Sequence, residues 1–282
     1  MTGASARDAP PISTGMDWST STIFSTWWGP GATAESSDLL DRDANLLQPL
    51  ECDGPLPVFR SRYVMSLDST RDTILTYEGI ADYYASVEDD LELRSYLRDL
   101  LGPSTPDRRI LEVGCGPGHD AGQLRAKGFE VTAIDLCEPF IDRARVRYPE
   151  VDFQLMDLRA PEFEDASFDG VLGMAALVHV VPEDVPPTIE RYRSLLKPGG
   201  RLVLWMADSP KVDYYDVPDW GGASSRHLRM WCHDRTMLSM AMKHAGFDDH
   251  RIIQLQSDYY ARMARLQEND VSLYVIVGAV SP

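Results

Sequence analysis

The sequence predicts an α/β protein with a doubly wound, mostly parallel sheet and helices on both faces. Three observations predict it. Short β-branched and aliphatic runs alternate with helix-like segments from Arg109 to Met206; the first run ends in the glycine turn "GCGPG", which opens a helix; and Asp135 and Asp157 close the next two runs. Alternating strand and helix builds βαβ units, and ligands of such sheets sit beyond the C-terminal strand ends.

The elements follow in order. Residues 1–70 are rich in Ser, Thr, Pro, Gly and Asp with little periodicity, so an irregular, partly mobile arm is expected. Within it, "WSTSTIFSTWWGPG" carries three tryptophans, which are expected to dock on the rest of the chain. Between Arg71 and Leu101, Ile74, Tyr77, Ile80, Ala81, Tyr84 and Val87 fall on one helical face, and Leu91, Tyr96, Leu97 and Leu100 on a second. Two amphipathic helices are expected there, forming a helical lid over 71–106 that "GPSTPD" brings to an end. The core spans 107–282. Its expected strands are "RILEVG", "EVTAID", "VDFQLMD", "FDGVLGM" and "RLVLWM", then "RIIQLQS" and "VSLYVIVGAV", whose short connection predicts an antiparallel pair at one sheet edge. Helices are expected near "GHDAGQLRAKG", "EPFIDRARVRYP", "PEDVPPTIERYRSLL" and "DRTMLSMAMKHAG", with an insert at about 207–233.

A formal net charge of −17 makes polyanions poor partners, because nucleic-acid affinity rests on phosphate neutralisation by Lys and Arg. Neither nucleic acid nor a membrane surface is expected as a partner. Arg143, Arg145 and Arg147 crowd one predicted helix and read as a solvated face. The first residues lack a secretory pattern, and the longest apolar stretch, Gly170 to Val181, is shorter than the roughly 18 residues that span a bilayer. A cytoplasmic protein is expected. Cys52, Cys115, Cys137 and Cys232 are scattered without CxxC spacing, which predicts reduced thiols and no metal site.

The glycine turn narrows the ligand. A dinucleotide fingerprint reads G-x-G-x-x-G, whereas here the glycines are Gly114, Gly116 and Gly118, and His119 stands where the third is wanted. Glu112 and Asp120 bracket the turn, and carboxylates there oppose a pyrophosphate but suit a cationic group. An α-amino group qualifies, as in the methionine part of S-adenosylmethionine. Asp135, 17 residues after Gly118, is placed to take ribose hydroxyls, and Asp157 to accept from an adenine amino group.

With these features in place, the sequence resembles the class I S-adenosylmethionine-dependent methyltransferases, in the group with quinone-biosynthesis and small-molecule enzymes. The resemblance is carried by "ILEVGCGPGHDAGQLRAKGFEVTAIDLCEPFIDRAR", "VDFQLMDLRAPEFEDASFDGVLGMAALVHV" and "SLLKPGGRLVLWM" and spans about residues 71–281. It implies a Rossmann-like, seven-stranded sheet and S-adenosyl-L-methionine as cofactor. It further implies that Gly114, Gly116 and Gly118 let backbone approach the cofactor with Glu112 in support, that Asp135 holds ribose, and that Leu136 packs on adenine. Asp157 and the backbone of Leu158 would meet the adenine edge, and Met174 would border the sulfonium. Tyr77 and Tyr84, in "TYEGIADYYA", match a helix that closes over the cofactor in similar enzymes, and core packing is an equal alternative for each.

The acceptor is expected to be a small molecule. His179 in "AALVHV" is the candidate base and His233 in "RMWCHDRT" a weaker one, because a near-neutral imidazole suits proton transfer. Trp205, Tyr214, Tyr215, Trp220 and Trp231, with Trp27 and Trp28 of the arm, suggest a flat aromatic or heterocyclic acceptor held by stacking. An NAD(P)-dependent oxidoreductase and a non-catalytic cofactor-binding module stay open as alternatives, and so does a homodimer.

Overall fold

The computed structural model describes residues 68–86, 92–218, 227–247, 249–255 and 271–281. Trp27, Trp28 and Trp220 lie outside these residues, as does the expected arm except for its last three residues. Helix α1 (Asp68–Ser86) and helix α2 (Glu92–Asp99) precede strand β1 (Arg109–Val113). The core continues as α3 (His119–Ala126), β2 (Glu130–Asp135), α4 (Glu138–Arg147), β3 (Asp152–Leu155) and β4 (Phe168–Met174). Two 3₁₀ turns, Leu177–His179 and Pro182–Asp184, lead into α5 (Val185–Leu195) and β5 (Leu196–Asp208). After β6 (Tyr214–Pro218) and β7 (His227–Trp231) come α6 (Arg235–His244), β8 (Asp249–Leu255) and β9 (Ser272–Ala279).

Among the described residues, seven strands form one sheet in the order β3-β2-β1-β4-β5-β9-β8. Strands β1 to β5 pair in parallel, and β9 runs antiparallel to both β5 and β8. The chain therefore starts in the middle, winds outward through β2 and β3, and then crosses to β4. Reversal of strand order between β1 and β4 opens a crevice at their C-terminal ends, the place where such sheets bind ligands.

Two apolar layers flank the sheet because successive residues of a strand face opposite sides. Ile110 packs with Leu124, Phe153, Leu172 and Val203 on one side. Leu111 and Val113 pack with Ile189, Leu204 and Tyr274 on the other. Glu112 shares the first side and is 2% exposed, so a carboxylate sits inside an otherwise apolar strand end.

The insert holds a hairpin that the sequence reading did not anticipate. Strands β6 and β7 pair antiparallel, with Tyr215 opposite Met230 and Val217 opposite Leu228. These four side chains are buried and join the cluster that contains Trp205. Helix α1 lies against both β7 and α4.

The α4 arginines are tied to neighbouring elements. Arg143 pairs with Asp82 of α1, Arg147 donates to the Ala85 carbonyl at 3.1 Å, and Arg145 donates to the Phe153 carbonyl at 2.8 Å. Arg145 and Arg147 are exposed and Arg143 is half-buried, as a solvated face requires, and the same side chains also tie α4 to α1 and β3. Among the described residues, no helix is long and apolar enough to cross a membrane.

Candidate functional site

The crevice is walled by the turns that follow β1, β2, β3 and β4. Gly114 (φ 64°), Gly116 (φ 53°) and Gly118 (φ 82°) all lie in the left-handed region that favours glycine. Their surroundings differ. A Cβ at Gly114 would sit 2.5 Å from the Ala176 Cβ, so the turns after β1 and β4 touch there. A Cβ at Gly116 would meet nothing nearer than 3.9 Å, where Phe140 and Tyr84 present ring edges. A methyl group at Gly116 would therefore rest in ordinary contact with both rings, so the aromatic side chains edge the glycine turn there. Ala175, at the end of β4, also has positive φ (54°), a strained backbone of the kind that gathers at functional rims.

The acidic residues have separate surroundings. Asp135 accepts from the amides of Gly116 and Cys137, both at 2.8 Å, which fixes the glycine turn to the end of β2. Burial raises its carboxyl above the ordinary value against the pull of these amides. Each oxygen keeps a further lone pair that hydroxyl groups can use. Glu112 Oε2 is buried with no hydrogen-bond partner. Burial and the neighbouring Asp120 push Glu112 well up, while Arg94 and Arg98 pull the other way. Asp120, 1% exposed, is held by Arg94 and by Arg98 Nη1 at 2.5 Å. It is thus engaged by the protein's own cations, and only Glu112 of the bracketing pair matches the expectation of a carboxylate awaiting a cationic group.

Asp157 is gripped by Arg159, whose Nη2 donates at 2.6 Å and whose backbone amide donates at 2.9 Å. Burial opposes its charge, but the Arg159 hydrogen bonds outweigh it and hold the carboxyl below the ordinary value. Leu136 and Leu158 are half-buried at the ends of β2 and β3. The Leu158 carbonyl accepts from the Tyr192 hydroxyl at 2.8 Å. Met174 is buried at the end of β4.

Beside the glycine turn stands an aromatic group. Tyr77 lies 5.7 Å from Tyr84, 5.6 Å from Phe140 and 5.5 Å from the His179 ring, centroid to centroid. His179 Nδ1 is 3.2 Å from the Arg229 carbonyl, which can only accept, so Nδ1 carries the proton. Nε2 then accepts from the Tyr77 hydroxyl at 3.0 Å. Burial lowers His179 to about 4, so the ring is neutral at physiological pH. His233 is 5% exposed, its Nε2 donates to the Leu177 carbonyl at 2.9 Å, and burial lowers it likewise to about 4. The structure sets His179 in this aromatic group and packs His233 under the 3₁₀ turn.

Of the expected acceptor wall, Trp205, Tyr215 and Trp231 are buried, and Tyr214 is 40% exposed. The Tyr214 ring stacks edgewise on Trp231 at 5.3 Å and under the Arg229 guanidinium at 4.0 Å. Phe140, Ala176, Arg94, Arg98 and Arg159 are site residues that sequence reasoning missed. Phe140 alone carried a signal, being an aromatic in the first turn of the helix that follows Asp135. Among the described residues, no cluster of His, Cys, Asp and Glu could hold a metal ion. The unmatched Glu112 oxygen and the spare lone pairs of Asp135, either side of the glycine turn, together fit a ligand with a cationic group and a ribose.

Comparison with known proteins agrees. Residues 110–200 match the family model described as a methyltransferase domain. The chain is 30% identical over 206 residues to a transposon-borne protein of Streptomyces fradiae, covering 70% of this chain and 54% of that one. It is 40% identical over 105 residues to a ubiquinone biosynthesis O-methyltransferase of Xanthomonas campestris, covering 35% and 43% respectively. The chain thus spans about half the length of these relatives. Its fold matches the 1,6-didemethyltoxoflavin-N1-methyltransferase of Burkholderia thailandensis with a TM-score of 0.55 at 19% identity, over 82% of this chain and 94% of that one. Residues 110–200 thus resemble the methyltransferase domain of class I S-adenosylmethionine-dependent enzymes, and S-adenosylmethionine is the cofactor that these likenesses support.

Two predictions follow from this geometry. Replacing Gly114 with Ala forces a clash and a positive-φ alanine, so chemical denaturation should show a loss of about 2–4 kcal/mol. Gly116→Ala makes only ordinary contacts with Phe140 and Tyr84 and should lose only about 1 kcal/mol from its φ, yet it should abolish S-adenosylhomocysteine binding in calorimetry. The second concerns pH. His179 and His233 bind a proton near 6.5 when unfolded but only near 4 when folded, so the unfolded state holds more protons in between. Stability should be full above pH 6.5 and fall steadily toward pH 4. His233→Gln should flatten that slope in urea titrations, and an unchanged slope would contradict the buried neutral state.

Proposed function

We propose that the chain transfers a methyl group from S-adenosylmethionine to a small aromatic or heterocyclic acceptor, with Tyr77 and His179 handling the acceptor's proton. The observation that carries this reading is the hydrogen bond from the Tyr77 hydroxyl to neutral His179 Nε2, within the aromatic group whose Tyr84 and Phe140 rings edge Gly116. Bound there, S-adenosylmethionine supplies an electrophilic methyl group on a sulfonium. The chain's own residues hold and exclude. Glu112 and Asp135 would hold the cationic and ribose groups, and Gly114 to Gly118 would let them approach the backbone. Tyr77, Tyr84 and Phe140 exclude water, which strengthens charge interactions in the crevice.

Alignment supplies much of the rate in such a displacement. A proton must also leave an acceptor hydroxyl or amine as its new bond to carbon forms. Tyr77 can take that proton while passing its own to His179 Nε2, and the Arg229 carbonyl keeps the imidazole in the required tautomer. Likeness to a ubiquinone-biosynthesis O-methyltransferase supports a small acceptor. So does the net charge of −17, which disfavours nucleic acid, and a cytoplasmic place of action fits the same composition.

Calorimetry should give micromolar binding of S-adenosylhomocysteine and none of NAD or NADP. Incubation with metabolite extracts should add one methyl group to a small molecule by mass spectrometry. Tyr77→Phe and His179→Ala should each slow that turnover by about 100-fold while S-adenosylhomocysteine affinity holds. Binding of NAD instead, or full turnover by Tyr77→Phe, would overturn the proposal.

A further inference from the structure

Four charged groups lie buried together beneath the glycine turn, and they come from three separate elements. Glu112 is the last residue but one of β1, Asp120 lies in the first turn of α3, and Arg94 and Arg98 reach in from α2. Glu112, Asp120 and Arg98 are each 2% exposed or less, and Arg94 is 18% exposed. Asp120 has both arginines, whereas Glu112 Oε2 has no partner. Burying an unpaired carboxylate is costly, so an oxygen left in this state implies a partner that arrives from outside.

We propose that Arg94 and Arg98 are positioning residues for the cofactor: by holding Asp120 in an ion pair they reserve the Glu112 carboxylate for the ammonium group of the bound amino acid moiety. This rests on the assignment of the crevice to S-adenosylmethionine. Two carboxylates this close cannot both stay ionised in a buried place without cations. The groups acting on Glu112 are Asp120 of α3 and Asp135 of β2, which raise it, and Arg94 and Arg98 of α2, which lower it. Burial is the largest influence raising Glu112, and helix α2 supplies the positive charge that acts against it from beneath β1. Docking of α2 and recognition of the amino acid moiety become one electrostatic arrangement, although α2 precedes the glycine turn by more than a dozen residues.

The test uses the full chain and two probes, S-adenosylhomocysteine and 5′-methylthioadenosine, which share adenine, ribose and thioether. Only the first carries the amino acid moiety. Arg98→Met should weaken S-adenosylhomocysteine binding at pH 7 by about tenfold or more and leave 5′-methylthioadenosine binding unchanged. Raising the pH should restore the lost affinity as Glu112 regains its charge. Adding Asp120→Asn should restore it at pH 7 by removing the competing carboxylate. Equal loss of both probes would make the arginines merely structural and overturn the inference, as would a loss that no pH restores. A wild-type chain that binds neither probe would instead overturn the cofactor assignment on which the inference rests.

Discussion

Contact between two turns governs this molecule. Gly114, just past β1, approaches Ala176, just past β4, so closely that one added methyl group would lie 2.5 Å from the alanine Cβ. These strands are neighbours in the sheet although β2 and β3 separate them in sequence. Closing them together brings the glycine turn and the turn carrying Ala176 against each other at the C-terminal end of the sheet. Every group of the candidate site is placed relative to that contact. Asp135 holds the Gly116 amide from one side, and the turn containing His179 continues from Ala176 on the other.

Electrostatics in the crevice depend on groups from distant parts of the chain. Burial alone would neutralise Glu112 and charge no imidazole. The α2 arginines counter this for the carboxylates. For His179 burial outweighs the opposing hydrogen bond to the Arg229 carbonyl of β7, so the ring stays neutral and is oriented by that carbonyl. The result is an ionic floor under the glycine turn and an uncharged, aromatic wall opposite. Such a division suits the charged amino acid end of a bound cofactor on the ionic side.

Much of the fold was legible in the sequence. β2 and β4 occupy the residues their apolar runs mark, and Gly114, Gly116 and Gly118 take the positive φ that their spacing suggests. The site was legible only in part. Asp120 read as a carboxylate for the ligand because nothing local shows that arginines 22 and 26 residues earlier fold back onto it. Asp157 read as an open acceptor although Arg159 forks onto it, a pairing that depends on the turn after β3. The hairpin was hidden because Tyr215, Val217, Leu228 and Met230 show their shared buried face only once the two strands pair.

Hydrogen–deuterium exchange with and without S-adenosylhomocysteine tests the account most directly, since it reports on backbone at every turn around the crevice. The account predicts that the ligand protects residues 112–118 and 135–137 together with α1 around Tyr77, while β8 and β9 stay unchanged. Protection confined to other elements, or the same protection produced by NAD, would contradict it.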